Sequence, residues 1–130
     1  VLKPGGRIFA AFINRYAGFR DCASRYPSDL NESLAAYERI WTEGINVAAG
    51  GGFTDAYFAD PDEVIPLVES EGFHALVLIN CEGIAAGHEE NLNALTGEAW
   101  ECWLNWNYRF AKDAHLVGAA DHLLVVAEKI

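Results

Sequence analysis

Three side chains in this sequence could take a proton from a reacting group: Glu82, His88 and His122. A carboxylate or a neutral imidazole removes a proton from oxygen or nitrogen when it lies within hydrogen-bond distance. A histidine that stands alone more often has a structural role, and that alternative stays open for both histidines. These residues are therefore candidates for a general base, but they form no catalytic motif.

The spacing of the other polar residues does not favour metal or thiol chemistry. Residues 88–90, His-Glu-Glu, are adjacent at the start of a predicted helix, so their side chains point in different directions and cannot share one ion. Cys22, Cys81 and Cys102 are too far apart in sequence for a zinc knuckle or a CxxC redox pair. We expect no metal site and three reduced thiols.

The elements that would position the candidate bases begin with a strand. Residues 7–13 form an apolar run after a Pro-Gly-Gly turn, and a helical insertion is expected over about 15–43, ending at Gly44. Residues 49–52, Ala-Gly-Gly-Gly, lack the strand and helix context of a phosphate-binding loop. We interpret this glycine run as a hinge or a turn.

The insertion is predicted to contain two helical parts, because Pro27 interrupts it. Ser28 or Asp29 can cap the second part, and Asp29 and Glu32 have the spacing of a capping box. Apolar residues at intervals of three and four predict one buried face, formed by Leu30, Leu34, Tyr37 and Trp41.

The middle of the chain carries the clearest helix and strand signals. Residues 60–72 have Asp60 as N-cap, Pro61 at the first helical position and Gly72 as the stop. Residues 73–81 contain a near-continuous apolar run, which is typical of a strand covered on both faces.

A long helix and a strand close the chain. The helix is predicted over about 89–110, within a second insertion at about 89–112. Its main apolar stripe contains Leu92, Leu95, Ala99, Trp103, Trp106 and Phe110. Trp100, Leu104 and Tyr108 lie off this stripe, so the helix is expected to bury two sides. Residues 120–128 form the last strand, and the alternation of strands and helices predicts an α/β fold.

The composition excludes one class of partner. Nineteen acidic and nine basic side chains give a formal net charge of −10, which repels a phosphate backbone, so we expect no nucleic-acid partner. No apolar run approaches the ~18 residues of a membrane span, and no segment resembles a secretory signal. We therefore expect no membrane partner and a cytoplasmic location.

Residues 2–6, Leu-Lys-Pro-Gly-Gly, and the strand after them resemble the stretch around the fifth strand of class I S-adenosylmethionine-dependent methyltransferases. Residues 60–64, 71–73 and 121–129 fall where that family has its last helix and its last two strands. The resemblance implies the C-terminal part of a Rossmann-like methyltransferase fold, a mixed sheet with an antiparallel last strand and helical insertions. Residues 1–130 would form the carboxyl-terminal half of one domain, preceded by a helix.

The same resemblance implies methyl transfer from S-adenosylmethionine to a small-molecule acceptor. The family holds the cofactor with a glycine-rich turn, an acidic residue and a loop, and all three precede the strand at 7–13. No cofactor-binding residue is therefore expected in this chain. Methyl transfer requires alignment and exclusion of water, and it requires a base only where the acceptor must lose a proton.

The implied strand directions place three polar clusters at one edge of the sheet: residues 14–16, 80–82 and 121–122. Ligands of open α/β sheets bind beyond the carboxyl ends of the parallel strands. The substrate contacts expected there and on the covering helices are Asn14, Arg15, Tyr16, Trp41, Phe58 and Trp100. The alternatives are structural, because asparagine forms turns at strand ends and aromatic stripes more often belong to a core.

A second hypothesis involves no catalysis. The strand at 7–13 would lack a neighbour on its outer edge, and an exposed apolar edge pairs with other chains. We expect a homo-oligomer formed through this edge or through the aromatic helices. The alternative to a methyltransferase is therefore a non-catalytic α/β binding or oligomerisation module.

Overall fold

A computed structural model describes residues 2–48 and 54–130, so the glycine run predicted as a hinge lies outside the described residues. The strands are β1 (Arg7–Asn14), β2 (Ile45–Asn46), β3 (Ala56–Ala59), β4 (Phe73–Asn80) and β5 (His122–Lys129). The helices are α1 (Arg15–Arg25), α2 (Asp29–Glu32), α3 (Leu34–Glu43), α4 (Pro61–Ser70), α5 (Glu89–Asn93) and α6 (Gly97–Phe110). Two short 3-10 helices span Gly83–Ala85 and Ala114–Ala119.

The five strands form one mixed open sheet in the order β2-β3-β1-β5-β4. The last strand, β5, lies between β1 and β4 and is antiparallel to both, with Val125 opposite Ala10 on one side and Leu78 on the other. The strands β1 and β4 therefore run parallel to each other. The structure confirms the three predicted strands, their relative directions and the α/β class.

Two short strands were not predicted. Strand β3 pairs in parallel with only the last two residues of β1, where Phe58 is opposite Ile13, and β2 pairs antiparallel with β3. Gly44 makes this approach possible, because its φ is +72° and a Cβ there would lie 2.6 Å from the carbonyl oxygen of Phe58. The outer edge of β1 is thus paired at its carboxyl end.

The core lies between α4 and one face of the sheet. Val64 and Val68 of α4 pack with Leu123, Val125 and Ala127 of β5, and all five side chains are buried. The start of α4 is as predicted, because Asp60 and Glu63 form a reciprocal capping box and Pro61 follows the N-cap. Helix α4 thus packs against the sheet whose edge carries the site.

The prediction that residues 73–81 are covered on both faces is wrong. Exposure alternates along the first half of β4, and Leu76 is 45% exposed. On β1, Phe9 lies on the face opposite α4 and is 69% exposed. An apolar run favours burial of both faces, but among the described helices α4 covers only one face of these strands.

The second part of the first insertion also differs from the prediction. It is divided at Ser33 into α2 and α3, and the Asp29 carboxylate accepts hydrogen bonds from Ser33 Oγ and Tyr37 Oη, both at 3.1 Å. The capping box with Glu32 is absent from this described segment. The break changes the register of the apolar stripe, so Ile40 is buried instead. The predicted face is exposed at Leu30, Leu34 and Trp41.

The helix expected over 89–110 is two helices, α5 and α6. Gly97 has a φ of +59°, which is incompatible with a continuous helix. Helix α6 packs on α5 and on the 3-10 helix at Gly83–Ala85 rather than over the sheet. The predicted stripe is wrong for this reason: Trp103 and Trp106 are exposed, whereas Trp100 and Leu104 are half-buried.

Candidate functional site

The carboxyl ends of β1 and β4 and the start of β5 meet at one edge of the sheet. The Asn14 amide donates to the Asp121 carbonyl oxygen at 2.9 Å, and the Cys81 amide donates to the His122 carbonyl oxygen at 3.0 Å. The three polar clusters expected at this edge are therefore adjacent. Some of their side chains are engaged within the fold, however, whereas others are accessible to a ligand.

Glu82 and His122 form a hydrogen-bonded pair at this edge. Glu82 Oε1 lies 2.7 Å from His122 Nδ1, and Glu82 Oε2 accepts from the backbone amides of Asp121 and His122 at 3.1 and 2.9 Å. Since a carboxylate only accepts, a neutral imidazole bonded in this way carries its proton on Nδ1 and has Nε2 as the accepting atom. The His122 side chain is 54% exposed, so a ligand can reach it.

An ion pair lies beside this pair. Arg20 Nε donates to Asp121 Oδ1 at 2.8 Å, and Arg20 Nη2 donates to the Ala120 carbonyl oxygen at 2.8 Å. Helix α1 is thereby attached to the start of β5, next to His122. Arg20 was not predicted as a site residue, because its partner is 101 positions away in sequence.

The side chains of Asn14 and Asn80 connect distant segments of the chain at the same edge. Asn14 is fully buried; its Nδ2 donates to the carbonyl oxygens of Val117 and Ala120 at 2.8 and 2.9 Å, and its Oδ1 accepts from the Tyr16 amide. These contacts are structural. Both polar groups of the Asn14 side chain thus bond within the fold. A contact between Asn14 and a substrate stays a prediction that rests on its position at the end of β1.

The Asn80 side chain is also fully buried, and its Nδ2 donates to the carbonyl oxygens of Phe110 and Ala111 at 2.8 and 3.1 Å. Among the described residues, Asn80 Oδ1 has no hydrogen-bond partner. Gly83 stands directly against it, because a Cβ on Gly83 would lie 2.7 Å from this oxygen. The end of α6 is thus tied to the end of β4.

Arg15, a predicted substrate contact, is 11% exposed and is used within the fold. Its guanidinium contacts the carboxylates of Asp60 and Glu63 at 3.3 and 3.1 Å, and its Nε donates to the Phe58 carbonyl oxygen. Tyr57 Oη donates to the same Glu63 carboxylate at 2.6 Å, and this bond raises the pKa of Tyr57. Phe58 is buried beneath this network, which joins α1, β3 and the cap of α4.

Tyr16 and Trp41, two further predicted substrate contacts, belong to an aromatic cluster between α1 and α3. The ring centroids of Tyr16 and Trp41 are 6.1 Å apart, and Phe19 contacts Trp41 edge-on at 5.9 Å. Such pairs stabilise helix packing. Neither of these two rings lines the cavity to which Trp100, the remaining predicted aromatic contact, belongs.

Trp100 lines a cavity of about 170 Å³ between the end of β4 and the helices α5 and α6. Its apolar wall includes Trp103 and Leu104, and Glu82 and Glu89 supply carboxylates. This is the cavity nearest to the Glu82–His122 pair, because Glu82 belongs to both. The edge therefore combines an oriented imidazole with an aromatic, acidic cavity.

The thiol of Cys81 also lines this cavity. Burial raises the pKa of Cys81, and the charge of Glu82 raises it further, so the thiol stays protonated. Asn107 Nδ2 donates to the Cys81 carbonyl oxygen at 3.0 Å and holds α6 against the end of β4. Asn107 was missed, although its spacing of seven from Trp100 places it on the same helix face.

The structure separates the third candidate base from the other two. His88 is the N-cap residue of α5, and its side chain is exposed. Its neighbour Glu89, which was considered only as a metal ligand, lines the cavity instead. Within residues 2–48 and 54–130, no three His, Cys, Asp or Glu side chains are grouped closely enough to hold a metal ion.

Neither a comparison with models of known protein families nor a search of curated proteins gave a match for this chain. Of the helices in the described part of the chain, none is long and apolar enough to cross a membrane. Assignment of a function must therefore start from the sheet topology and the site geometry.

Proposed function

We propose that this chain is the carboxyl-terminal part of a class I S-adenosylmethionine-dependent methyltransferase that acts on a small molecule. One observation carries the proposal: β5 is reversed and inserted between the parallel strands β1 and β4. The Rossmann-like methyltransferase fold ends with a strand of this kind. The glycine turn before β1 adds support, because Gly5 has a φ of +77° and its amide bonds to Lys129 at the end of β5.

The side chains at the carboxyl edge suit a reaction that involves a sulfonium. S-adenosylmethionine supplies an activated methyl group when it is bound, and its positive charge is stabilised by a carboxylate at this edge such as that of Glu82. Under this proposal, residues that precede Val1 hold the adenosine, because the family's cofactor-binding strands come before the strand that β1 resembles.

His122 has the role of general base in this proposal. Glu82 orients the imidazole through Nδ1, and Nε2 accepts the proton that an oxygen or nitrogen acceptor loses. The cavity beside Glu82 offers an apolar surface for the acceptor; His122 does not line it, so the reacting atom of the acceptor has to project from the cavity towards Nε2. Arg15, Asn14 and Asn80 act indirectly in this scheme, since they position the elements around the edge.

The test is calorimetry with S-adenosylhomocysteine on the protein extended by the residues that precede Val1 in its gene. We expect binding by the extended protein and none by residues 1–130 alone, which serve as the matched control. If the extended protein releases no binding heat across a range of temperatures, the methyltransferase proposal is wrong.

A non-catalytic binding or oligomerisation module is the second candidate. It is favoured by the exposed aromatic side of α6, where Tyr108 is 75% exposed, and by the uncovered sheet face around Phe9. For this candidate we expect a concentration-dependent dimer in sedimentation equilibrium. A Phe9→Glu variant that abolishes the dimer would support it, whereas a monomer at millimolar concentration would exclude it.

A further inference from the structure

The cavity between α5, α6 and the end of β4 is lined by apolar side chains and carboxylates. Trp100, Trp103, Leu92 and Leu104 form its apolar surface, and the only ionised groups among its described lining residues are carboxylates. None of those described lining residues is Lys, Arg or His. The cavity therefore offers an anion no counter-charge.

The two indoles can act on one ligand. Trp100 and Trp103 are three positions apart in α6, so they lie on the same side of the helix. The face of an indole carries a negative potential that attracts a cation, and this attraction grows when water is excluded. A cavity of about 170 Å³ has room for one small organic group between them.

Glu89 supplies the charge at the cavity wall. Its Oε1 accepts a hydrogen bond from the Gly87 amide at 3.0 Å, and hydrogen bonds from backbone amides keep the pKa of Glu89 below its usual value. Arg25 and His88 are the basic residues that act on this carboxylate. Arg25 is itself paired with Asp21 at 3.1 Å and does not line this cavity; it lines a second depression, to which Glu89 also contributes.

We propose that this cavity binds a small organic cation, a protonated or alkylated amine with an apolar body, with its charge between the indoles and Glu89. The inference uses the proposed methyltransferase function only where it assigns a protonated amine, and not a quaternary one, as the methyl acceptor, once its proton has passed to His122 and freed the nitrogen lone pair. Binding itself requires no cofactor, so the two proposals can fail separately.

The test compares three probes of one shape and different charge: choline, the neutral 3,3-dimethylbutan-1-ol and the anionic 3,3-dimethylbutanoate. Titration is followed through the indole N–H signals of the four tryptophans in the ¹⁵N spectrum of the 130-residue chain. We expect choline to shift the signals of Trp100 and Trp103 and to leave that of Trp41 unchanged. The alcohol should bind about fivefold more weakly, and the carboxylate should cause no shift.

Two single-charge variants localise the effect. Glu89→Gln keeps an oxygen for the Gly87 amide but removes the charge, so choline affinity should fall about fivefold while alcohol affinity stays constant. Glu90→Gln removes the neighbouring charge, which does not line the cavity, and should leave both affinities unchanged. Equal affinity for choline and the alcohol, or equal effects of the two variants, would overturn the inference.

Failure of each proposal gives a different result. If choline binds but the extended protein does not bind S-adenosylhomocysteine, the cation site stands and the methyltransferase proposal falls. If S-adenosylhomocysteine binds and choline shifts no indole signal at saturating concentration, only the cation site is wrong.

Discussion

Replacement of Asn14 by aspartate tests whether this residue fixes the connection before β5. Asn14→Asp changes one NH₂ group to an oxygen and retains the oxygen that caps α1 through the Tyr16 amide. The new oxygen faces the carbonyl oxygens of Val117 and Ala120, which now accept hydrogen bonds at 2.8 and 2.9 Å. The substitution therefore removes two donors and adds almost no volume.

The expected loss of stability follows from these contacts. Each buried hydrogen bond contributes about 1 kcal/mol, and the Val117 carbonyl left unpaired adds a further desolvation cost, whereas the Ala120 carbonyl keeps its bond from Arg20 Nη2, so we expect destabilisation of roughly 3 kcal/mol at pH 7. For a chain of this length the melting temperature should fall by roughly 10–15 °C. The Asn14→Asp variant should retain a folded population, since domains are typically stable by about 5–15 kcal/mol.

The sign of the pH dependence gives a second check. Full burial against two carbonyl oxygens raises the pKa of the introduced carboxyl above its value in the unfolded chain, and the Arg20 guanidinium at the Ala120 carbonyl opposes part of this rise. Below the unfolded pKa the group is protonated in both states, and its O–H can still donate to one carbonyl. As pH rises through the unfolded pKa towards the folded one, the unfolded state loses the proton first, so Asn14→Asp loses stability relative to the native chain.

Urea unfolding followed by circular dichroism at pH 4 and pH 7 measures both effects. Asn105→Asp is the matched control, because Asn105 is exposed on α6, and its unfolding free energy should change by no more than about 0.5 kcal/mol. A cost for Asn14→Asp below about 1 kcal/mol, or a larger deficit at pH 4 than at pH 7, would refute the reasoning.

Three other substitutions or modifications test neighbouring parts of the edge. Gly83→Ala should lower the free energy of unfolding by about 1–3 kcal/mol in urea titration, because a Cβ would meet a buried amide oxygen at 2.7 Å and φ is +53°. Gly87→Ala, at φ +80° in open space, isolates the backbone strain and should cost less. Iodoacetamide should alkylate exposed Cys102 before Cys81 at pH 8, by mass spectrometry, since a raised pKa leaves Cys81 less thiolate. In the extended protein, His122→Asn should reduce methyl transfer about 100-fold without changing S-adenosylhomocysteine affinity, because the amide retains a donor for the paired carboxylate but cannot act as a base.

Each of these expectations has a contrary result. Equal costs for Gly83→Ala and Gly87→Ala would show that the close approach at Gly83 has no energetic effect. Alkylation of Cys81 as fast as that of Cys102 would mean that the cavity wall does not protect it. Full transferase activity in His122→Asn would remove the imidazole from the reaction.

The sequence predicted the parts of the fold that depend on local signals. The capped start of α4 and the three long strands follow from N-cap chemistry, apolar runs and glycine stops, and all are present. The break at Gly97 and the short β3 strand were missed, because they depend on a single positive φ and on a pairing of two residues. Exposure of Leu76 was missed because an apolar run does not reveal whether a second layer covers it.

The site was less predictable, because its contacts join distant parts of the chain. The convergence of Glu82 and His122 was expected from strand directions, but the 2.7 Å hydrogen bond between them requires the register of β4 and β5. Arg15 has a residue type and position that suggest ligand binding, yet two carboxylates some 45 residues away engage it. Glu89 reaches the cavity only because the long helix is interrupted.

In this domain, helix α6 lines the cavity, whereas other elements form the apolar core that stabilises the fold. In small domains the two sets of residues usually overlap. This helix is held at its carboxyl end by Asn80 and along its length by Asn107, while the apolar core between α4 and the strands lies elsewhere. Replacing Trp103, which is exposed and lies outside this core, therefore changes the cavity wall at less expense to folding than replacing half-buried Trp100. Under the proposed function, exposed positions of this arm can change the ligand preference while the sheet that holds His122 keeps its packing.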